Sequence, residues 1–286
     1  MNRRWQLNIL LFVVVTVLVL IAILQPGIEK PEPRPRLSTI QDSEIKRASI
    51  ERPKAPTIVL ERKNSDAWQM TQPRKGRTNP FMISSLLRII RAASEQELPV
   101  EAGKDLGEFG LDTPKATVRL DDHSIRFGDT NPVNNQQYVL FDGSIHMIDH
   151  RYFWAVSRPT TEFLSKQLIE SGRKPTRLVL PHHRLELVGG SWQVKPGQKD
   201  LSADRIKQLV DDWVHTQALV VKNYERGAIS DWVSITFKPL AAGTKPATLR
   251  IGIVARTPEL ILYRPDEGLQ YHFPQDLSKR LLSFGQ

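Results

Sequence analysis

The sequence has no cysteine. Disulfides, thiolate nucleophiles and cysteine-ligated zinc or iron–sulfur centres are therefore excluded. It also has no long run of one charge. The Lys and Arg residues behind the formal net charge of +9 are scattered, as on an ordinary solvated basic surface. An excess of this sign also suits anionic lipid, nucleic acid or an acidic partner. The signatures of phosphate, dinucleotide and acyl chemistry are missing: there is no P-loop, no Gly-x-Gly-x-x-Gly after a strand-like run and no Gly-x-Ser-x-Gly. What remains is 286 residues, 25% charged and 40% hydrophobic, enough for one or two globular domains.

The first feature present is an apolar run. Residues 7–24 carry no charge, and Asn8 and Thr16 are their polar breaks. About 20 apolar residues span a bilayer core, and with Trp5 the run just reaches that length. Trp5 stands where an interfacial aromatic belongs, behind Arg3 and Arg4. A cleaved signal peptide would have a shorter apolar region ending in a small-x-small site, whereas the exit here is Ile23-Leu24-Gln25-Pro26. Residues 1–25 are thus expected to be a cytoplasmic tip and an uncleaved transmembrane helix, with Trp5, Leu7 and Leu24 as anchor residues. Arg3 and Arg4 favour a cytoplasmic N-terminus, while Lys30, Arg34 and Arg36 pull the other way. A short basic head on an N-terminal anchor generally stays inside. The expected address is the bacterial inner membrane, single-pass, with the body in the periplasm. Residues 26–56 hold Pro26, Pro31, Pro33, Pro35, Pro53 and Pro56 among charges and read as an extended linker.

Beyond the linker the same order of signals occurs twice. Residues 57–61 (T-I-V-L-E) lead through Asn64-Ser65-Asp66 to Trp68-Gln69-Met70; residues 184–188 (R-L-E-L-V) lead through Gly189-Gly190 to Trp192-Gln193-Val194. Each pair reads as a β-hairpin. A capped helix follows each. Asn79 precedes Pro80, and Ser202 is followed by Asp204 in the first turn. Ile83, Leu86, Leu87 and Ile90 follow Asn79 at the offsets at which Ile206, Leu209, Val210 and Trp213 follow Ser202. That spacing puts four apolar side chains on one helix face. Two further hairpins are expected in each copy: 116–127 and 138–148 in the first, 233–254 and 260–273 in the second. Short amphipathic helices at 162–169 and 275–282 end the copies. The predicted fold is α+β: a transmembrane helix, then two tandem repeats of antiparallel sheet, 57–172 and 173–286, each with a packed amphipathic helix and a short C-terminal one. Each is large enough for its own core.

The stretch Phe109-Gly110-Leu111-Asp112-Thr113-Pro114-Lys115-Ala116-Thr117-Val118-Arg119-Leu120, with Ile125-Arg126-Phe127-Gly128-Asp129 and Tyr138-Val139-Leu140, resembles the bacterial domain-of-unknown-function family numbered 4340. Its members carry a Tyr/Phe-Gly-Leu-Asp-x-Pro turn followed by such hairpins. In the second copy Ile229-Ser230-Asp231-Trp232 replaces the turn, so the pattern is degenerate there. Members often lie beside genes for ABC-type transport systems of the gliding-motility auxiliary kind. The resemblance implies a membrane-tethered periplasmic accessory subunit and carries over no catalytic residue.

The residues themselves point to little chemistry. His146 and His150 are four apart with Asp149 between them, a spacing that converges on a helix but not along a strand and its exit. His182 and His183 are adjacent, so on a strand they face opposite ways. Asp121-Asp122-His123 sits where a hairpin needs a turn. Trp68 and Trp192 suit either core packing against the following helix or stacking on a glycan. Tyr152, Phe153 and Trp154 form a dense aromatic cluster that either packs the two copies together or offers a docking surface. No catalytic, cofactor or metal site is assigned. The expected function is a non-enzymatic accessory or scaffold of a membrane complex, with ABC-type transporter subunits and the lipid bilayer as partners. Alternatives are an envelope module for glycan, lipid or peptide, and an enzyme with an unrecognised site.

Overall fold

A computed structural model describes residues 3–24, 35–63, 67–100, 105–197, 201–241 and 243–284. The chain forms two compact units, Met1–Pro35 and Arg36–Gln286. The first contains helix α1 (Arg3–Leu24), whose side chains are exposed from Arg4 to Leu20. Among the described residues no helix is long and apolar enough to cross a membrane. The Asn64-Ser65-Asp66 turn, residues 26–34 of the Pro-rich stretch and the Leu24 side chain lie outside what is described.

The second unit is α+β. Its first sheet contains β1 (Arg47–Glu51), β2 (Ile58–Arg62), β3 (Trp68–Gln72), β4 (Gly76–Arg77), β5 (Ser94–Pro99), β6 (Ala116–Leu120), β7 (His123–Thr130), β8 (Gln136–Phe141) and β9 (Ser144–Asp149). Helix α2 (Pro80–Leu87) lies between β4 and β5 in sequence, and α3 (Arg151–Ser157) follows β9. The second sheet contains β10 (Pro175–Val179), β11 (Arg184–Val188), β12 (Ser191–Lys195), β13 (Val220–Asn223), β14 (Asp231–Phe237), β15 (Thr248–Ala255), β16 (Leu260–Arg264) and β17 (Leu269–Phe273). Helix α4 (Ala203–His215) lies between β12 and β13, and α5 (Asp276–Leu282) follows β17.

The two sheets share one topology. The first runs β4-β3-β2-β1-β6-β7-β8-β9-β5 and the second β12-β11-β10-β14-β15-β16-β17-β13, antiparallel throughout. Without the two-residue β4, both orders read 3-2-1-5-6-7-8-4 within their copy. Registers agree as well. Leu60 stands opposite Met70, and Leu185 opposite Val194, so Trp68 and Trp192 occupy the same place two residues earlier. Each Trp packs on the core while staying partly exposed.

Helix boundaries follow from their caps. The Asn79 side chain accepts from the Phe81 N–H at 3.1 Å, and the Ser202 hydroxyl accepts from the Arg205 N–H at 3.3 Å. All eight helix-face residues expected from periodicity are buried. Each contributes roughly 1.5–3 kcal/mol as an upper figure. Buried side chains from both copies belong to one contiguous cluster rather than two.

Strands β4, β5, β10 and β13 were not expected, and three further segments differ from expectation. The supposed linker 26–56 contains β1, a central strand, because Ala48 and Ile50 alternate inward and pair with β2 and β6; the body already begins at Arg36. The helix expected at 162–169 is a 3-10 turn, Thr160–Phe163, followed by extended chain. Its backbone pairs outward instead of inward: Asn79 N–H donates to Phe163 O at 2.8 Å and Ser165 N–H to Arg77 O at 2.9 Å. Helix α3 was hidden within the aromatic cluster 152–154. Its first turn is fixed by Asp149, whose carboxyl accepts from Arg151 N–H at 2.8 Å.

Candidate functional site

The extended segment after Phe163 stitches the copies together. Leu164 bridges to Thr78 in the first copy, and Gln167 to Gln217 in the second. Beside it lies a buried polar seam that joins residues far apart in sequence. Arg77, on β4, places Nε 2.6 Å from Glu267 Oε1 and donates through Nη2 to Gln167 O at 2.7 Å and Tyr271 OH at 3.0 Å. Arg264, at the end of β16 and 2% exposed, donates to Leu168 O at 2.7 Å and Glu170 Oε1 at 3.0 Å. It also pairs with Asp266 at 2.5 Å and Glu267 at 3.5 Å. Tyr271 donates its hydroxyl to Glu267, and Arg74 donates to Asn223 and to the Glu267 carbonyl.

The electrostatics follow from this pairing. Burial disfavours charge on both arginines, but hydrogen bonding to Glu267 for Arg77, and to Asp266 for Arg264, together with the surrounding acids, outweighs it and holds both above the ordinary guanidinium range. Burial also raises the Glu170 carboxyl, yet Arg264, with help from Arg77, holds it below the ordinary range. Burial and the negative charge of Glu267 push the Tyr271 phenol up. The seam is an ion-pair network that joins the two copies.

Next to the seam is a cleft of about 430 Å³. Trp68, Pro80, Ile83 and Leu87 form an apolar wall, faced by Gln167 and Glu170 from the connecting segment. Its volume falls in the range of small-ligand pockets. Asp42 also lines it, and the Asp42 Oδ1 is buried without a hydrogen-bond partner.

The histidines do not converge. His146 is buried, with Nδ1 3.1 Å from Ser94 Oγ; His150 Nδ1 lies 3.0 Å from Gln137 Oε1. Burial lowers His146, against the pull of Glu97. Among the described residues no group of three or more His, Asp or Glu could hold a metal ion. Asp121 occupies a turn at φ +50° and accepts from the Lys46 and Arg47 N–H groups at 3.1 and 2.8 Å, which orders the start of β1.

The aromatic cluster divides. Phe153 packs toward Phe127, with centroids 6.0 Å apart, and Tyr152 is half-buried; both belong to the first copy's packing. Trp154 is 43% exposed and makes an edge contact at 6.4 Å with Phe81, itself 62% exposed. In α1, Trp5 and Leu7 are exposed, and Leu24 closes the helix. Sequence reasoning missed the seam entirely. Its one visible trace is the Tyr263-Arg264-Pro265-Asp266-Glu267-Gly268 turn, where the Arg ends an otherwise apolar strand.

The family-like turn proves to be a packing device. Gly110 closes the 3-10 turn Gly107–Phe109 at φ +63°, a left-handed conformation that favours glycine. Phe109 makes an edge contact with Tyr138 at 5.0 Å, and Leu111 is buried over Gly128. In the second copy Ile229 sits in the same way over Gly252.

No curated protein and no solved structure matches this chain. One family model does: Domain of unknown function (DUF4340) matches residues 68–223, from the first residue of β3 to the last of β13 and more than half of the chain. With both copies partly inside the match and the signature turn within it, the chain belongs to the family of the domain of unknown function DUF4340.

Proposed function

We propose that this protein is a non-enzymatic, single-pass accessory or scaffold subunit of a membrane complex, anchored by α1 with its body in the periplasm. An ABC-type transport system is the partner to which the family resemblance points. The observation that carries the reading is the sequence of residues 7–24, uncharged throughout and taken over its whole length rather than over the described residues alone, where no helix meets the length and apolarity of a span. The helix that contains it, α1, has 22 residues, about 33 Å at the α-helical rise. The seam, which ties the two copies together through Arg77 and Arg264, supports a rigid body. The test is fractionation of the full chain. Retention in membranes through alkaline carbonate, release on deleting residues 1–25, and co-purification of transporter subunits from detergent extract are expected. A chain that washes off, or that recovers only itself, would sink the reading.

A second reading, an envelope ligand-binding module, is favoured by the cleft beside Trp68. Titration with soluble glycan fragments or short peptides should then change tryptophan fluorescence in the full chain but not in Trp68→Phe. An unchanged signal across both ligand types counts against it.

A further inference from the structure

Helices α2 and α3 pack side by side. Their outward surface carries Phe81 and Trp154, in contact and 62% and 43% exposed. Arginines stand at the ends of both helices. Arg158 lies 4.7 Å over the Trp154 ring, Arg151 opens α3, and Arg88 follows α2, two turns beyond Phe81. Neither helix contains an acidic residue. The adjoining carboxyls are already engaged: Asp149 stands 3.4 Å from Arg151, and Glu162 stands 3.1 Å from Lys166. Residues 36–286 carry +7, that is +9 for the chain less +2 from residues 1–35 (Arg3, Arg4, Lys30 and Arg34 against Glu29 and Glu32).

The place where the tether joins the body is on the same helical element. Arg36 bridges to Ala93, and Leu37 N–H donates to Ala92 O at 3.0 Å. Ala92 directly follows the 3-10 turn Arg88–Arg91 that prolongs α2. Residues 25–35 are all that separates α1 from this point, at most about 40 Å of chain. Exposed aromatic rings with arginine over one of them and further arginines on the same helices have the chemistry of the bilayer interface. The rings partition to headgroup depth and the guanidinium groups bind lipid phosphate.

We propose that the α2–α3 face, centred on Phe81 and Trp154, docks the body onto an anionic lipid surface, that of the membrane to which it is tethered. This rests on the reading of α1 as an anchor. The experiment uses the full chain in nanodiscs of phosphatidylglycerol with phosphatidylcholine, and in discs of phosphatidylcholine alone. Photoreactive p-benzoylphenylalanine replaces Trp154 or, as a control, Trp232. Trp232 is also partly exposed and has Arg250 4.3 Å over its ring, but it stands on the second sheet. In anionic discs, position 154 should yield several-fold more lipid adduct by mass spectrometry than position 232. The excess should vanish in neutral discs and in Arg151→Gln/Arg158→Gln. Equal yields at the two positions, or adducts to protein in place of lipid, overturn the docking while leaving the anchor standing. A chain that never enters the discs overturns the anchor, and the docking with it.

Discussion

At the scale of single residues, Gly128 illustrates how little freedom the signature turn leaves. A Cβ there would stand 2.1 Å from Phe109 O and 2.9 Å from Leu111 Cγ. Backbone cannot retreat as a flexible side-chain tip can, so Gly128→Ala is expected to destabilise by about 3 kcal/mol, the upper part of the overpacking range. Gly197→Ala, which meets open space, should leave the urea midpoint unchanged. Glu267 makes the opposite point, because its removal leaves something behind. Glu267→Ala would take from Arg77 its partner at 2.6 Å and from Tyr271 its acceptor, while Arg264 keeps Asp266 and Glu170, so a loss of about 3 kcal/mol, the lower end for breaking a buried pair, is expected in the same titration. Acid should act in two steps. His146 is held below the ordinary histidine range by burial, so the unfolded chain takes up its proton first as pH falls. Stability present above about pH 6.5 is therefore lost below it, and His146→Gln should flatten that part of the profile. Glu170, also lowered, contributes above about pH 4.3 and loses its contribution as pH falls further. The glycine was legible in the sequence as part of a motif. The seam was not, because Arg77 and Glu267 are 190 residues apart, and a lone charge at a strand end or in a turn reads as surface.

At the scale of elements, helix caps and periodicity carried most of the information. Asn79 and Ser202 were visible as caps because their apolar stripes start at matching offsets. Their consequences differ. Ser202 satisfies one helical N–H, whereas Asn79 also donates from Nδ2 to Glu162 O at 3.2 Å. Ser202→Ala should cost about 1 kcal/mol and Asn79→Ala nearer 2, measured by thermal or denaturant unfolding. Strand β1 was illegible because prolines on both sides suggested a linker, and its burial comes from β2 and β6. The stretch 162–169 had helical spacing, but its backbone found partners in the first copy's β4 edge. Long-range pairing overrode local pattern in both places.

At the scale of the molecule, the duplication could be read from sequence, while the single core could not. Periodicity shows that a face is apolar but not what covers it. Since buried residues of both copies form one contiguous cluster and the seam crosses between them, the body should unfold in a single cooperative transition. Two resolved transitions by circular dichroism and tryptophan fluorescence would contradict that.

The position of β1 has a mechanical consequence. On the proposed reading of α1 as an anchor, a load reaches the body at Arg36, which bridges to Ala93, and runs on to β1 at Arg47, which is hydrogen-bonded to β2 on one side and β6 on the other. A strand at a sheet edge unzips under tension one bond at a time. A strand clamped on both sides resists along its whole length. A body held through such a strand should keep its fold under a pull that would strip an edge strand away.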